Sequence, residues 1–347
     1  MSTGIKKVRL ADIAAKAGVS AVTVGKALNS TGGKNARIGA ATAARIREIA
    51  ARLNYHPNSI AQQLAGKKSG IIGVVMDSCA PQTYYERLSK IEVYASAKNY
   101  KLMIGQAHED IEKIKDYAYK FSSYGVDGII CMAVFTEETS QVAELYNNTA
   151  KTVFLGKPSG LNNSCSVSID TRGAYSRAVE YLSEKGRKKI ALILMDGVSA
   201  EMSQAIRKSG YVEGLKNCGM PFAEELVCRI PIADQMNERS YLETIKKLVF
   251  EQKVDAILTC NDEVAAIVIK ILLELNVKVP DDISVIGYDN TNVAKLFLPS
   301  ITTFDQNNDE ASKAIVDLLI KLIKEEDVPP EERSIVVEPL LIKRKSA

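Results

Sequence analysis

The chain has 347 residues, of which 46% are hydrophobic and 25% charged, the balance of a soluble globular protein with length for two or three domains. Its formal net charge of +3 hides a division: residues 1–68 hold 12 Lys and Arg against only Asp12 and Glu48, a charge of +10, and the rest of the chain carries −7. No apolar run approaches the roughly 18 residues that a membrane span needs, and the N-terminal MSTGIKKVRLADIAAKAG lacks the continuous apolar core of a secretory signal, so a cytoplasmic protein with no membrane partner is expected.

The six cysteines (Cys79, Cys131, Cys165, Cys218, Cys228 and Cys260) are widely spaced with no C-x-x-C pair. They read as reduced thiols filling core, not as a zinc, redox or disulfide framework. With His56 and His108 the only histidines, and with no G-x-x-x-x-G-K-[ST] or H-E-x-x-H string, no metal, cofactor or enzymatic activity is expected.

Residues 5–54 read as helices alone. Leu10, Ile13, Ala14 and Ala17 recur at helical spacing, Gly18 breaks the run, and Ser20 is an N-cap for a second helix that buries Val24 and Leu28. Residues 29–34 (NSTGGK) form a turn-rich loop. A third helix over 40–53 places Ile46, Ile49, Ala50 and Leu53 on one face; Pro57 interrupts, and a short stretch over 58–65 ends at Gly66. From Ser69 the texture changes. Short β-branched runs at 71–76, 101–104, 128–132, 152–155, 165–169, 189–194, 256–259 and 284–288 alternate with helical stretches at 85–98, 111–122, 172–185, 204–218, 239–251, 263–275 and 309–325. That alternation predicts parallel sheets covered on both faces by helices, and the length predicts two lobes. Ligands in such folds bind at the carboxyl ends of strands, which draws attention to Asp77 and Ser78, Asp170, Asn261 and Asp262, and Asp289 and Asn290.

The first two helices are either an ordinary helical hairpin or a helix-turn-helix, and the details favour the second. Ala14 is small where the helices approach, Gly18 supplies a turn with positive φ, and Val19 and Val24 plug the space beneath. The surface left on the second helix is Ala21, Val22, Thr23, Lys26 and Asn29. Lys26 is its one charged donor for a base edge, and Ala21 and Val22 suit apolar contact with thymine methyls. The +10 charge supplies the phosphate neutralisation that dominates DNA affinity.

The string VRLADIAAKAGVSAVTVGKALN (8–29) resembles the DNA-binding headpiece of the lactose-repressor (LacI/GalR) family of transcription regulators. LNYHPNSIAQQLAGKKSGIIGVVM (53–76) resembles that family's third-helix end, hinge helix and first body strand. NDEVAAIVI (261–269), VPDDISVIGYDN (279–290), LPSITTFDQ (298–306) and PLLIKR (339–344) resemble its later landmarks in order, so the resemblance covers nearly the whole chain. It implies an all-α helix-turn-helix headpiece plus an α/β two-lobed periplasmic-binding-protein-like effector domain. The divisions are a headpiece at 1–57, a hinge helix and linker at 58–69, and an effector-binding and dimerisation domain at 70–347.

The resemblance also implies roles. Ala21, Val22 and Lys26 take base contacts and Ser20, Thr23 and Asn29 take phosphates, in the usual division between specifying and positioning contacts. Asn58 opens the hinge segment, Leu64 is the minor-groove wedge and Gln63 helps select the central bases. Arg207, Asn261 and Asp289 are implied effector contacts, a guanidinium, an amide and a carboxylate suited to a polyhydroxylated ligand; Asp77, Tyr84 and Tyr85 are further candidates after the first strand. The implied partners are pseudo-palindromic operator double-stranded DNA, a small-molecule effector (a sugar or sugar derivative, with a nucleobase as the alternative) and a second copy of the chain. Three features depart from the family pattern: Gly25 where Ser is usual, a longer loop at 30–37 carrying Lys34 and Arg37, and Gly156 where an acidic residue is common. A plain solute-binding protein and a nucleotide-using enzyme are the rivals, disfavoured by the basic headpiece and by the missing phosphate-binding loop.

Overall fold

A computed structural model describes residues 8–29, 38–55, 66–77, 82–107, 110–133, 140–158, 160–161, 163–197 and 201–347. The sequence expectations for the loop 30–37 and for Asn58, Gln63 and Leu64 lie outside the described residues. The chain divides into two units, Met1–Ser69 and Gly70–Ala347.

The first unit holds three helices, α1 (Leu10–Ala17), α2 (Ala21–Asn29) and α3 (Ala40–Arg52). Gly18 ends α1 in the left-handed conformation at φ 64°, with its N–H bonded back to the Ala14 carbonyl. An L side chain there costs about 1 kcal/mol, which fixes the sharp exit into α2. The Ser20 hydroxyl accepts the Thr23 N–H at 3.1 Å and so caps α2. Ile13, Ala14, Ala17, Val24, Ala27, Ile46 and Ala50 are buried together, with Val19 and Leu28 packed against them. It is a small core, three helices deep in alanine, which allows the short helices to approach closely.

The second unit is two α/β lobes. Lobe 1 is built from β1 (Ile71–Met76), α4 (Gln82–Ala97), β2 (Lys101–Gln106), α5 (Ile111–Ser123), β3 (Gly128–Met132), α6 (Ser140–Thr149), β4 (Thr152–Leu155) and β5 (Cys165–Ile169). The chain then enters lobe 2 with α7 (Thr171–Glu184), β6 (Ile190–Asp196), α8 (Glu201–Asn217), β7 (Val227–Pro231), α9 (Glu238–Lys246) with a π turn over Lys247–Glu251, β8 (Ala256–Thr259), α10 (Asp262–Glu274), β9 (Ser284–Ile286), α11 (Asn292–Leu296) and β10 (Thr303–Asp305). It returns to lobe 1 through α12 (Asn308–Ile323) and β11 (Ser334–Val337), then crosses back to end on β12 (Leu340–Ile342). The lobe 1 sheet runs β11-β5-β4-β3-β1-β2 and the lobe 2 sheet β7-β6-β8-β9, both parallel, while β10 and β12 pair antiparallel.

Burial on both faces explains the near-continuous apolar strands. β1 and β3 are IIGVVM and GIICM, almost wholly buried. In lobe 1 the sheet packs against Ile91 and Ala95 of α4 and the α12 face Ala311, Ile315, Val316 and Leu319, with Phe121 and Tyr146 on its other side. In lobe 2, α7 and α8 cover one face and α9 and α10 the other. The lobes are joined by three crossovers, β5 to α7, β10 to α12 and β11 to β12. Among the described residues, Cys131, Cys165, Cys218, Cys228 and Cys260 are free thiols, and no helix is long and apolar enough to cross a membrane.

Candidate functional site

The headpiece presents its reading surface on α2. Ala21 and Lys26 are exposed, and Val22 is 66% exposed, unusual for a β-branched apolar residue on so small a domain. Ser20 and Thr23, expected on phosphates, bond each other through their hydroxyls at 2.8 Å, so each enters any further contact already oriented. Of Asn29 only the backbone is described, as the last residue of α2. Lys16, Lys26, Arg45 and Arg47 have no carboxylate partner among the described residues, whereas Arg52 is engaged by Glu48 at 2.6 Å. A Cβ on Gly25 meets nothing closer than Leu10 Cδ1 at 3.8 Å, so packing does not require glycine there.

The second candidate site lies where the strands of the two lobes end. Asp289 follows β9, is 7% exposed, and is held at φ 101°, beside Asn290 at φ 53°. Such conformations cost non-glycine residues roughly 1–3 kcal/mol and persist only where neighbours fix them. Here the Asp289 N–H donates to the Phe304 carbonyl at 2.8 Å. Gln306 Nε2 donates to Asp289 Oδ1 at 2.5 Å, and the Asn290 side chain bridges Asp305 and Arg344. Burial pushes the Asp289 carboxyl up to about 6, against the opposing pull of Arg207 and the Gln306 hydrogen bond.

Arg207 projects from α8. Its guanidinium lies 5.2 Å from the Tyr288 ring centroid and 5.9 Å from that of Tyr175, and its Nη1 donates to the Ser203 carbonyl at 3.0 Å. The rings are themselves anchored, Tyr175 by donation to the Thr259 carbonyl at 2.7 Å and Tyr288 by a 3.0 Å bond with the Thr171 hydroxyl. α8 can carry Arg207 this close because Gly210 and Gly214 face α7, where any Cβ would collide with the Arg172 and Ser176 backbone.

Asn261 is the N-cap of α10, its Oδ1 accepting the Val264 N–H at 2.9 Å. The capping role therefore uses the oxygen, and the amide Nδ2 has no partner among the described residues. Asp262 beside it is fully buried, accepting from the Thr291 N–H at 2.7 Å and the Thr303 hydroxyl at 2.5 Å, and burial pushes its carboxyl up to about 7. It is a structural tie between α10 and the β9–β10 region. In lobe 1, Asp77 is 8% exposed at the end of β1. Tyr84 packs on the lobe core, with its ring 5.4 Å from the Arg87 guanidinium, and Tyr85 is 40% exposed.

Sequence reasoning passed over four residues of this region. Tyr288 and Gln306 lie inside the strings VIGYDN and LPSITTFDQ, and Tyr175 is a buried residue of α7. Arg87 is the instructive one. It falls on the buried α4 stripe Thr83, Arg87, Ile91, Ala95, and a charged residue at an i, i+4 apolar position was the available signal. It is 1% exposed, and its Nη2 donates to Gln306 Oε1 at 2.8 Å. The result is a hydrogen-bonded chain from Arg87 in lobe 1 through Gln306 in a crossover to Asp289 in lobe 2.

A small basic helix-turn-helix unit joined to a two-lobed body with a polar cleft at its strand ends defines a sequence-specific DNA-binding transcriptional regulator. Comparisons with known proteins agree. Residues 9–58 match the family model of bacterial regulatory proteins, lacI family, and residues 179–347 match that of a periplasmic binding protein-like domain. The chain thus carries a lacI-family DNA-binding domain and a periplasmic-binding-protein-like domain. It is 27% identical over 337 residues to the HTH-type transcriptional repressor PurR of Histophilus somni, with 96% of this chain and 97% of that one covered. It is 29% identical over 351 residues to the HTH-type transcriptional regulator RegA of Clostridium saccharobutylicum, covering 100% and 99%, and 29% identical over 324 residues to catabolite control protein A of Priestia megaterium, covering 92% and 94%. Among solved structures, the lac repressor dimer bound to operator and the anti-inducer ONPF superposes with a TM-score of 0.83 at 26% identity, covering 98% and 99%. These relatives are transcriptional regulators, not enzymes.

Proposed function

We propose that the protein is a cytoplasmic repressor that binds a pseudo-palindromic operator as a homodimer and responds to a small ligand, a sugar or sugar derivative, held between the lobes by Arg207, Asp289 and Asn261. The observation that carries the reading is the convergence of a half-buried guanidinium, a buried carboxylate in a strained backbone and a capping amide at the strand ends, which is where ligands of parallel sheets bind. The solved relative bound to operator as a dimer supports the DNA and homodimer parts, and two-fold symmetry in the protein implies a matching symmetry in its site.

On DNA, Lys26 reads a base edge, Ala21 and Val22 supply apolar contact, and Ser20, Thr23 and Asn29 position the helix on phosphates. Asn58, Gln63 and Leu64 act in the hinge segment, with Leu64 as the wedge. Ligand binding favours one arrangement of the lobes, which alters the subunit contacts and the hinge segments; it is allosteric to the extent that the ligand's affinity differs between the two arrangements.

The test is a pair of titrations on the full chain. Operator affinity, measured by fluorescence anisotropy, falls steeply between about 50 and 200 mM salt, as expected for a protein neutralising several phosphates; a flat response overturns the headpiece assignment. A thermal-shift screen of sugars, sugar phosphates and nucleobases identifies the ligand class by mass action. A hit whose shift survives in Arg207→Ala removes the cleft as its site.

A further inference from the structure

We propose that the cleft takes an anionic ligand, a small molecule whose carboxylate or phosphate group is received by Arg87 and Arg207 together. The inference rests on the reading of the cleft as the ligand site and narrows its chemistry.

Arg87 is 1% exposed, yet its guanidinium makes one hydrogen bond among the described residues, from Nη2 to the neutral amide oxygen of Gln306. Its Nε is sealed from solvent with no partner, and so is the Nε of Arg207. No carboxylate among the described residues lies within 4.0 Å of either guanidinium. A buried charge without a close counter-charge is among the costliest features a fold can hold; Arg87 is one, and the half-buried Arg207 adds a second positive charge with a sealed, unpartnered Nε.

Asp289 is the carboxylate that acts electrostatically on both arginines, but its Oδ1 is engaged by Gln306 and it supplies a single negative charge against two positive ones. The ordinary tools for softening a lone arginine are present as well. Tyr84 lies beneath Arg87, and Tyr175 and Tyr288 flank Arg207. These rings lower the cost and leave N–H donors unsatisfied. A carboxylate or phosphate answers both needs, because its oxygens accept from guanidinium N–H groups in a fork and its charge balances the excess. A neutral polyol satisfies donors but leaves the charge.

The two sources of such an anion, a sugar acid and a phosphorylated sugar, share this chemistry and are separated by experiment. Full-length protein is melted with about 10 mM glucose, sodium gluconate, glucose 6-phosphate or inorganic phosphate, with ionic strength matched by sodium chloride. At least one of the three anions raises Tm by about 3 °C or more over the chloride control, and glucose does not. Gluconate alone points to a carboxylate; phosphate or glucose 6-phosphate points to a phosphoryl group. Arg87→Gln, which keeps a donor for Gln306, abolishes the shift, and Arg87→Lys retains part of it.

Glucose shifting wild type as much as the anions, with loss of the shift in Arg207→Ala, overturns the anionic claim and leaves the ligand-responsive reading standing. Anions that shift wild type and Arg87→Gln alike also overturn it. No shift from any of the four probes, in a protein that melts cooperatively, counts against both. Should Arg87→Gln fail to fold, the contrast of anions with glucose on wild type and Arg87→Lys decides.

Discussion

Gly210 is where helix packing and the proposed ligand site meet, and its substitution gives a quantitative test. On α8 it lies one turn beyond Arg207 and against α7. A Cβ built there falls 2.9 Å from the carbonyl carbon of Arg172 and closer still to its oxygen, and one on Gly214 falls 2.7 Å from the Ser176 carbonyl oxygen. Ordinary carbon contacts need about 3.5 Å or more. The obstacle is backbone within a buried helix pair, so no side-chain rotation relieves it, and Gly210→Ala must separate α7 from α8 by the order of 1 Å. Overpacking of this kind costs about 1–3 kcal/mol, offset slightly by the better helix propensity of alanine. For a body of this size each kcal/mol moves Tm by about 2–4 °C, so a fall of about 3–10 °C is expected in differential scanning calorimetry. Because Arg207 sits on the displaced helix, its seat between Tyr175 and Tyr288 is disturbed too, and the thermal shift given by any cleft ligand shrinks at least tenfold in apparent affinity. A Gly210→Ala protein that melts within about 1 °C of wild type and binds ligand normally refutes the packing argument.

Gly25→Ala works in the opposite direction. Its Cβ has room and the backbone is helical, so the headpiece gains about 0.5–1 kcal/mol, read as a rise in the thermal midpoint of the isolated unfolding step of the headpiece by circular dichroism; a loss of stability contradicts it. Lys26→Ala weakens binding to the operator by about tenfold or more and binding to random DNA by much less, measured by competition anisotropy; equal losses make Lys26 a phosphate contact. Asp262 and Asp289 carry folded-state values of about 7 and about 6 against an ordinary 3.8. Raised carboxyls lend stability that is complete below the unfolded value and is lost as pH rises through the folded one. The stability of wild type relative to Asp262→Asn therefore falls between about pH 4 and pH 7, by up to about 4 kcal/mol, in urea unfolding series at several pH values; a relative stability that rises over that window is the contrary result.

The alternation of β-branched runs with amphipathic stretches carried most of the α/β architecture, because strands buried on both faces are written as apolar blocks that little else produces. Helices following strands were read as starting late, at 204 against Glu201 for α8 and at 85 against Gln82 for α4. The reason is local: first turns at strand ends are polar, and apolar periodicity begins only where the helix meets the sheet. α6 has a weak signal in the sequence, since SQVAELYNNT buries Val142, Ala143 and Tyr146 with Leu145 half-buried beside them and is otherwise polar. β7, β10 and β12 are short and lie at edges or crossovers, where pairing rather than composition makes them strands. In the cleft, Arg207 and Asp289 were legible through motif strings, and Asn261 carried its capping role in its position before DEVAA. Arg87 shows in the sequence only as a charge on an apolar i, i+4 stripe; its pairing with Gln306 does not, because no local pattern reports a contact 219 residues away.

Among the described residues, one polar connection between the lobes runs through Arg177 and another through Arg87. Arg177 of α7 reaches residues at all three crossovers: its Nη1 is 3.5 Å from Asp170 Oδ2, its Nη2 donates to the Pro339 carbonyl at 3.2 Å, and its guanidinium lies 6.0 Å from the Phe304 ring centroid. That connection is made where the chain crosses between the lobes. The second connection, Arg87 to Gln306 to Asp289, crosses the cleft itself. Both of its ends belong to the proposed ligand site, and both are buried, where an abandoned hydrogen bond costs about 1–3 kcal/mol. A ligand that takes Arg87 or Asp289 must therefore either share Gln306 or release it to a new partner.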